Sequence, residues 1–156
     1  MLAAPPLPEC HRMPRFLRFS ARLALVMAML SASLAAHAQH APPSQLQITD
    51  QTIGSGLSAR NGRELTVNYR AWVYADAAPD HHGVLVDDSY ARQQPLTFTL
   101  GAPGIIEGWD RGLNGMRIGG KRTLIVPASM AYGGRRVGNV PPHAALVFEI
   151  ALLRVD

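Results

Sequence analysis

Some residues in this 156-residue chain have types and spacings that invite a chemical reading. Asp76, Asp80, His81 and His82 offer carboxylate and imidazole donors to a divalent metal. Adjacent histidines on an extended segment point apart, however, and no third strong ligand stands at a fixed spacing, so the pattern reads as a solvated loop and no metal is expected. Gly115-Met116-Arg117-Ile118-Gly119-Gly120-Lys121 matches the G-x-x-x-x-G-K part of a phosphate-binding loop. That motif continues with Ser or Thr to hold magnesium, whereas this chain has Arg122. The surrounding periodicity also places a helix before the motif and a strand after it, the reverse of the order that aims a helix N-terminus at a phosphate. No Ser or Cys stands in a G-x-S-x-G-like setting, and outside the leader and the 75–83 loop the sole histidine after residue 38 is His143, which argues against a nucleophilic triad. What remains is a set of large apolar and aromatic residues, Tyr69, Trp109, Tyr132 and Phe148 among them, with few polar companions. Taken one at a time, such residues are ordinary core residues.

The elements that would position them are mostly strands. Leu46, Ile48 and, less regularly, Ile53 suggest a first strand, ended by Gly54-Ser55-Gly56. Leu65, Val67, Tyr69, Ala71 and Val73 then alternate with Thr66, Asn68, Arg70, Trp72 and Tyr74, the period of a half-buried strand. A loop over residues 75–83 is followed by shorter strands at 84–87 and 96–100. The spacing of Ile106, Trp109, Leu113 and Met116 predicts an amphipathic helix over residues 105–116, stopped by Gly119-Gly120. A strand at 121–126 ends at Pro127, and residues 127–142, rich in Gly and Pro, form a long loop of the kind that carries function. An apolar strand over 145–155 closes the chain. Without βαβ alternation this is an α+β fold, an antiparallel sheet wrapped around a single helix.

Residues 13–38 read as a secretory signal, because Arg15, Arg18 and Arg22 precede an apolar run from Leu23 to Ala36 that ends Ala36-His37-Ala38. The run is about a dozen residues against the ~20 of a membrane-spanning helix, which favours cleavage after Ala38 over an inner-membrane anchor. Residues 1–12 lengthen the signal beyond the usual ~15–30 residues and point to Met13 as the translation start. The lone Cys10 lies upstream of the apolar run, so it cannot bear a lipoprotein lipid, and one cysteine supplies neither an internal disulfide nor a C-x-x-C site. The formal charge of +4 also belongs mainly to this segment. Without the four arginines and one glutamate of residues 1–38, 118 residues hold 11 basic and 10 acidic side chains, a net charge of +1. A nucleic-acid partner, whose affinity comes from clustered cations, is therefore not expected. The remaining basic pairs, Lys121-Arg122 and Arg135-Arg136, read as solvated loop or strand ends. The expected organisation is a signal at 1–38, a flexible leader and first strand at 39–57, and a folded domain at 58–156.

Seven segments then follow in order: Val67-Asn68-Tyr69, Val86-Asp87-Asp88-Ser89, Pro95-Leu96-Thr97-Phe98-Thr99-Leu100-Gly101, Ile105-Ile106-Glu107-Gly108-Trp109, Met116-Arg117-Ile118-Gly119-Gly120-Lys121-Arg122, Ala131-Tyr132-Gly133 and Pro141-Pro142-His143-Ala144-Ala145-Leu146-Val147-Phe148. Together they resemble the FK506-binding-protein family of peptidyl-prolyl cis-trans isomerases, above all its bacterial exported members, across residues 58–156. The resemblance implies a curved five- or six-stranded antiparallel sheet around one short helix, with a pocket between them. It carries the family's site onto Tyr132, Asp87, Trp109 and Tyr69 as catalytic positions, and onto Ile105, Ile106, Phe148, Val86 and Leu96 as substrate-binding ones. Trp109 is implied as the floor under the proline ring, Tyr132 and the Ile106 N–H as donors to substrate carbonyls, and Asp87 with Tyr69 as the polar rim. Implied partners are proline-containing polypeptides and FK506- or rapamycin-type macrolides, the location is the periplasm, and a monomer is expected because residues 39–58 are too few for a dimerisation arm.

Such a pocket suits the reaction. Rotation about an X–Pro bond meets a barrier of ~18–20 kcal/mol set by amide resonance, and the twisted transition state is less polar than the planar amide. An apolar site therefore favours the twisted form without acid, base, metal or cofactor, and a few well-placed hydrogen bonds add to this. Two positions depart from the family, which usually has phenylalanine where Val86 stands and commonly where Leu96 stands. Both changes widen the pocket, from which weaker turnover and weaker macrolide binding are expected. The alternative expectation is a proline-segment binding module or folding chaperone with little isomerase activity.

Overall fold

The computed structural model describes residues 42–156, and the signal expected at 13–38 lies outside the described residues. The alternation at 64–74 builds the central strand. We number the strands β1 (Gln47–Thr52), β2 (Glu64–Tyr74), β3 (His82–Asp88), β4 (Leu96–Thr99), β5 (Lys121–Val126) and β6 (Leu146–Val155), with the helix α1 at Glu107–Leu113. All pairings are antiparallel, in the order β1-β5-β6-β2-β3, and β4 also pairs with β2. β6 occupies one edge of β2 over nearly its whole length. The other edge is shared, since β4 pairs with residues 64–67 and β3 with residues 70–74, so the strand edge is broken between Asp88 and Leu96. Leu65, Val67, Tyr69 and Ala71 of β2 are buried on the inner face, with Leu124 and Val126 of β5 and Phe148, Ile150 and Leu152 of β6.

The helix lies on this inner face and approaches β5 through glycines. A Cβ on Gly108 would stand 2.4 Å from Val126 Cγ1, and one on Gly112 2.6 Å from Leu124 Cδ1, so both glycines, one turn apart, are sites of close backbone approach. α1 is shorter than its amphipathic spacing predicts. Ile106 is its N-cap, in an extended conformation, and the helix stops at Leu113. Beyond it the backbone turns from its own helix to residues 57–59: Gly115 N donates to Ala59 O at 2.9 Å, Ala59 N to Met116 O at 2.7 Å, and Ile118 N to Leu57 O at 3.0 Å. Met116 is still buried, which is why the sequence pattern extends to it. The C-terminal carbonyls of α1 are met by Arg122, whose Nη1 donates to Gly112 O at 2.7 Å while Nε and Nη2 bind both oxygens of Asp50 at 2.6 and 3.0 Å. Expected as a solvated strand end, the Arg122 side chain is 11% exposed. Its guanidinium fork ties β1, β5 and α1 together.

The outer face differs from expectation in the 75–83 loop. A 3-10 turn at Pro79–His81 leads directly into β3, which starts at His82. Left-handed backbone at Asp80 and His81 (φ 54° and 60°) breaks the alternation that would make the two histidines diverge. Instead His81 stacks on Tyr74 at 4.7 Å and His82 on Trp72 at 3.9 Å, two side chains on one face of β2. Val147, opposite Trp72 in the ladder, is fully buried beside this stack. The Tyr74 hydroxyl titrates above the ordinary phenol value, through desolvation first and then its hydrogen bond to Asp76 and that carboxylate's charge. The first strand is also more open than its apolar residues suggest, with Ile48 exposed in β1 and Ile53 beyond its end. Among the described residues no helix is long and apolar enough to cross a membrane.

Candidate functional site: an apolar cavity floored by an indole

Between α1 and the inner face of the sheet lies a cavity of about 330 Å³. All nine site residues singled out in the sequence line it. Tyr69 comes from β2, Val86 and Asp87 from β3, Leu96 from β4, Phe148 from β6, and Trp109 from α1. Ile105 and Ile106 reach it from the turn entering α1, and Tyr132 from the loop at 127–142. The break between β3 and β4 matters here, because it lets Val86-Asp87 and Leu96 reach one cavity from the same edge of β2.

Trp109 is 4% exposed and is framed by aromatic rings. Tyr69 meets it edge-on at 5.2 Å and 84°, Phe148 at 5.4 Å and 80°, and Phe98 packs at 5.4 Å and 50°. Such T-shaped contacts fix the plane of the indole. Its Nε1–H is buried without a hydrogen-bond partner. Because α1 has no room to move toward β5, the indole height is set by Gly108 and Gly112 as much as by its ring neighbours.

The polar rim is a compact ion and hydrogen-bond cluster. The Tyr69 hydroxyl donates to Asp87 Oδ2, Arg92 Nη1 pairs with Asp87 Oδ1, and Asp88 N donates to Asp87 Oδ1 at 2.9 Å. Arg92 Nη2 also donates to the Tyr69 hydroxyl at 3.3 Å. Both oxygens of Asp87 are thus engaged, and the Tyr69 ring cannot swing freely. By contrast, among the described residues the Tyr132 hydroxyl and the Ile106 N–H have no partner within the chain.

Sequence reasoning did not single out Arg92, Val137 or Val140. Arg92 stands five residues after Asp87 in an irregular turn, where no periodicity marks it. Val137 and Val140 flank Gly138-Asn139 and bond to each other (Val140 N to Val137 O, 2.9 Å; Val137 N to Val140 O, 3.2 Å), a small hairpin that brings the 127–142 loop over the cavity. The Gly-Asn pair between two valines is a readable hairpin signal.

Residues 56–153 match the family model for FKBP-type peptidyl-prolyl cis-trans isomerase. The chain belongs to that family. It is 47% identical over 111 residues to the FK506-binding protein of Neisseria meningitidis serogroup A, covering 70% of this chain and 95% of that protein. It is 39% identical over 116 residues to the FK506-binding protein of Streptomyces anulatus, covering 73% and 89%. Among solved structures, AtFKBP13 superposes with a TM-score of 0.62 at 32% identity, covering 74% of this chain and 96% of that one. FkpA from Escherichia coli gives a TM-score of 0.62 at 31% identity over 87% of this chain and 60% of that one. The six-stranded antiparallel sheet with one helix is the FKBP fold, and the enzyme class is peptidyl-prolyl cis-trans isomerase.

Proposed function

We propose that the cavity over Trp109 is where this isomerase rotates X–Pro bonds, in exported polypeptides. The observation that carries the reading is the pairing of an apolar, ring-framed floor with two unengaged donors beside it, the Tyr132 hydroxyl and the Ile106 N–H. The proline ring rests on the Trp109 indole between Ile105, Phe148, Val86 and Leu96. Tyr132 donates to one substrate carbonyl and Ile106 N–H to another, both aligned better with the twisted amide than with the planar one. Asp87, held by Tyr69 and Arg92, keeps the rim polar and oriented. The amide gives up part of its water shell on entry, which costs the charge-separated planar form more than the twisted one. No cofactor or metal takes part. The protein acts as a monomer, and the basic and apolar order of residues 13–38 directs it to the periplasm by a cleaved signal.

The test is a prolyl-isomerisation assay on a Xaa-Pro peptide by magnetisation exchange. Tyr132→Phe removes one donor while leaving the ring, so turnover falls while peptide binding is largely kept. Full turnover in Tyr132→Phe refutes that role. A second reading, a proline-segment binder with little turnover, is favoured by Val86 and Leu96 alone, which leave the wall less filled than phenylalanine would. It is supported if peptide binds over Trp109 without line broadening from exchange. FK506-type macrolides bind the same cavity, and weakly for the same reason.

A further inference from the structure

Ser89 is fully buried, and it is the buried polar residue among the described ones. It sits where the sheet edge breaks between β3 and β4. Its N–H donates to Tyr69 O at 3.0 Å, and its hydroxyl oxygen accepts from Tyr69 N at 2.8 Å. The side-chain oxygen therefore stands in for the strand carbonyl that the break removes. The hydroxyl proton goes to Asn68 Oδ1 at 2.9 Å, and Gln94 N closes the excursion onto Ser89 O at 3.1 Å. Every polar group of Ser89 is used.

The same three residues, 87 to 89, hold Tyr69 at both ends. Its backbone is held by Ser89 and its hydroxyl by Asp87. Between them, Asp88 Oδ1 accepts from Tyr90 N at 2.8 Å and Ala91 N at 3.2 Å, shaping the turn that returns Arg92 over Asp87 and Tyr69. We infer that Ser89 is a positioning residue of the isomerase site: its buried hydroxyl fixes β2 against residues 87–89 and so sets where Tyr69, Asp87 and Arg92 meet at the cavity rim. It touches no substrate. The inference rests on the proposed reading that this cavity is the isomerase site.

Ser89→Ala takes away the acceptor of Tyr69 N–H without adding bulk. Asn68→Ala removes only the far end of the chain and leaves Ser89 in place, and Asn68→Asp keeps an acceptor for the hydroxyl proton. For the purified protein and these variants, kcat and KM for a prolyl peptide are measured, together with the Tyr69 Cζ and Asp87 Cγ carbon resonances. Ser89→Ala is expected to lower kcat/KM about tenfold or more, as displacement of an oriented group does, mainly in kcat because the apolar walls are untouched. In an Asp87→Leu background it should lower kcat/KM no further. Both resonances should move in Ser89→Ala, move less in Asn68→Ala, and return in Asn68→Asp. Wild-type kcat/KM per folded molecule with unmoved resonances, accompanied only by a lower melting temperature, overturns the inference. If Ser89→Ala does not fold, Asn68→Ala and its Asp rescue decide by the same readouts. Should the unaltered protein show no turnover, the isomerase reading falls by itself, while moved resonances still support positioning by Ser89 and unmoved ones overturn it.

Discussion

Gly108→Ala puts one methyl where α1 meets β5. An added Cβ would lie 2.4 Å from Val126 Cγ1, 2.9 Å from Cγ2 and 3.2 Å from Cβ. Favourable carbon contacts lie at about 3.5–4.0 Å, so a displacement of roughly 1 Å is required. Rotation of Val126 gives little relief, because both γ-methyl groups and Cβ itself already face the glycine and a β-branched side chain is restricted at χ1. Val126 is fully buried, so its strand cannot yield to solvent. Overpacking of this kind costs about 1–3 kcal/mol, and the rigid partner places it near the upper end. Alanine regains about 1 kcal/mol of helix propensity over glycine. The net expectation is a loss of about 2 kcal/mol, or roughly 8 °C in melting temperature for a domain of this size. Turnover should fall too, since lifting α1 displaces Trp109, the next residue. The assay is urea unfolding followed by far-ultraviolet circular dichroism, run on Gly108→Ala, Val126→Ala and the double variant. Removing the valine methyls makes room, so the double variant should be more stable than the sum of the singles by about 1 kcal/mol or more. A Gly108→Ala protein as stable as the parent, or strict additivity with Val126→Ala, would refute the close-approach argument.

Arg122→Ala should destabilise the fold by about 1–3 kcal/mol, since the Gly112 carbonyl loses its donor while the exposed Asp50 carboxylate returns to water; unfolding midpoints check this. Val86→Phe should raise kcat/KM on a prolyl peptide and tighten macrolide binding by filling the cavity wall, with about 1–2 kcal/mol available from the added apolar contact; no change or a loss counts against the wall argument. Arg92→Ala should lower kcat/KM by no more than about fivefold, because its half-exposed pair with Asp87 is worth about 0.2–1 kcal/mol, and titration with peptide would separate the kcat and KM effects.

Much of this architecture is written in local pattern. β2 is legible because Leu65 to Val73 alternate without interruption, and β5 because Gly119-Gly120 and Pro127 punctuate both ends. α1 is overread at its C-terminus because Met116 keeps the apolar spacing, although residues 57–59 have taken the backbone bonds that would extend the helix. The outer-face stack of His81 and His82 depends on two left-handed residues that no hydrophobic period encodes. In the site, the lining follows the order of the family motifs, on strands and α1 as on the turn at 105–106 and the 127–142 loop, so its members can be named from sequence. Arg92 and Ser89 cannot, because each matters through a partner about twenty residues away, reached across an irregular turn. Arg122 likewise looks like any exposed strand charge until its distance to Gly112 is known.

The most direct test compares prolyl isomerisation by the unaltered protein and by Trp109→Leu, each verified as folded, on one Xaa-Pro peptide, with a macrolide as competitor. If the cavity over Trp109 is the reaction site, the unaltered protein accelerates exchange and the macrolide suppresses it, and Trp109→Leu loses most of the acceleration. Undiminished, macrolide-insensitive turnover in Trp109→Leu would contradict the account.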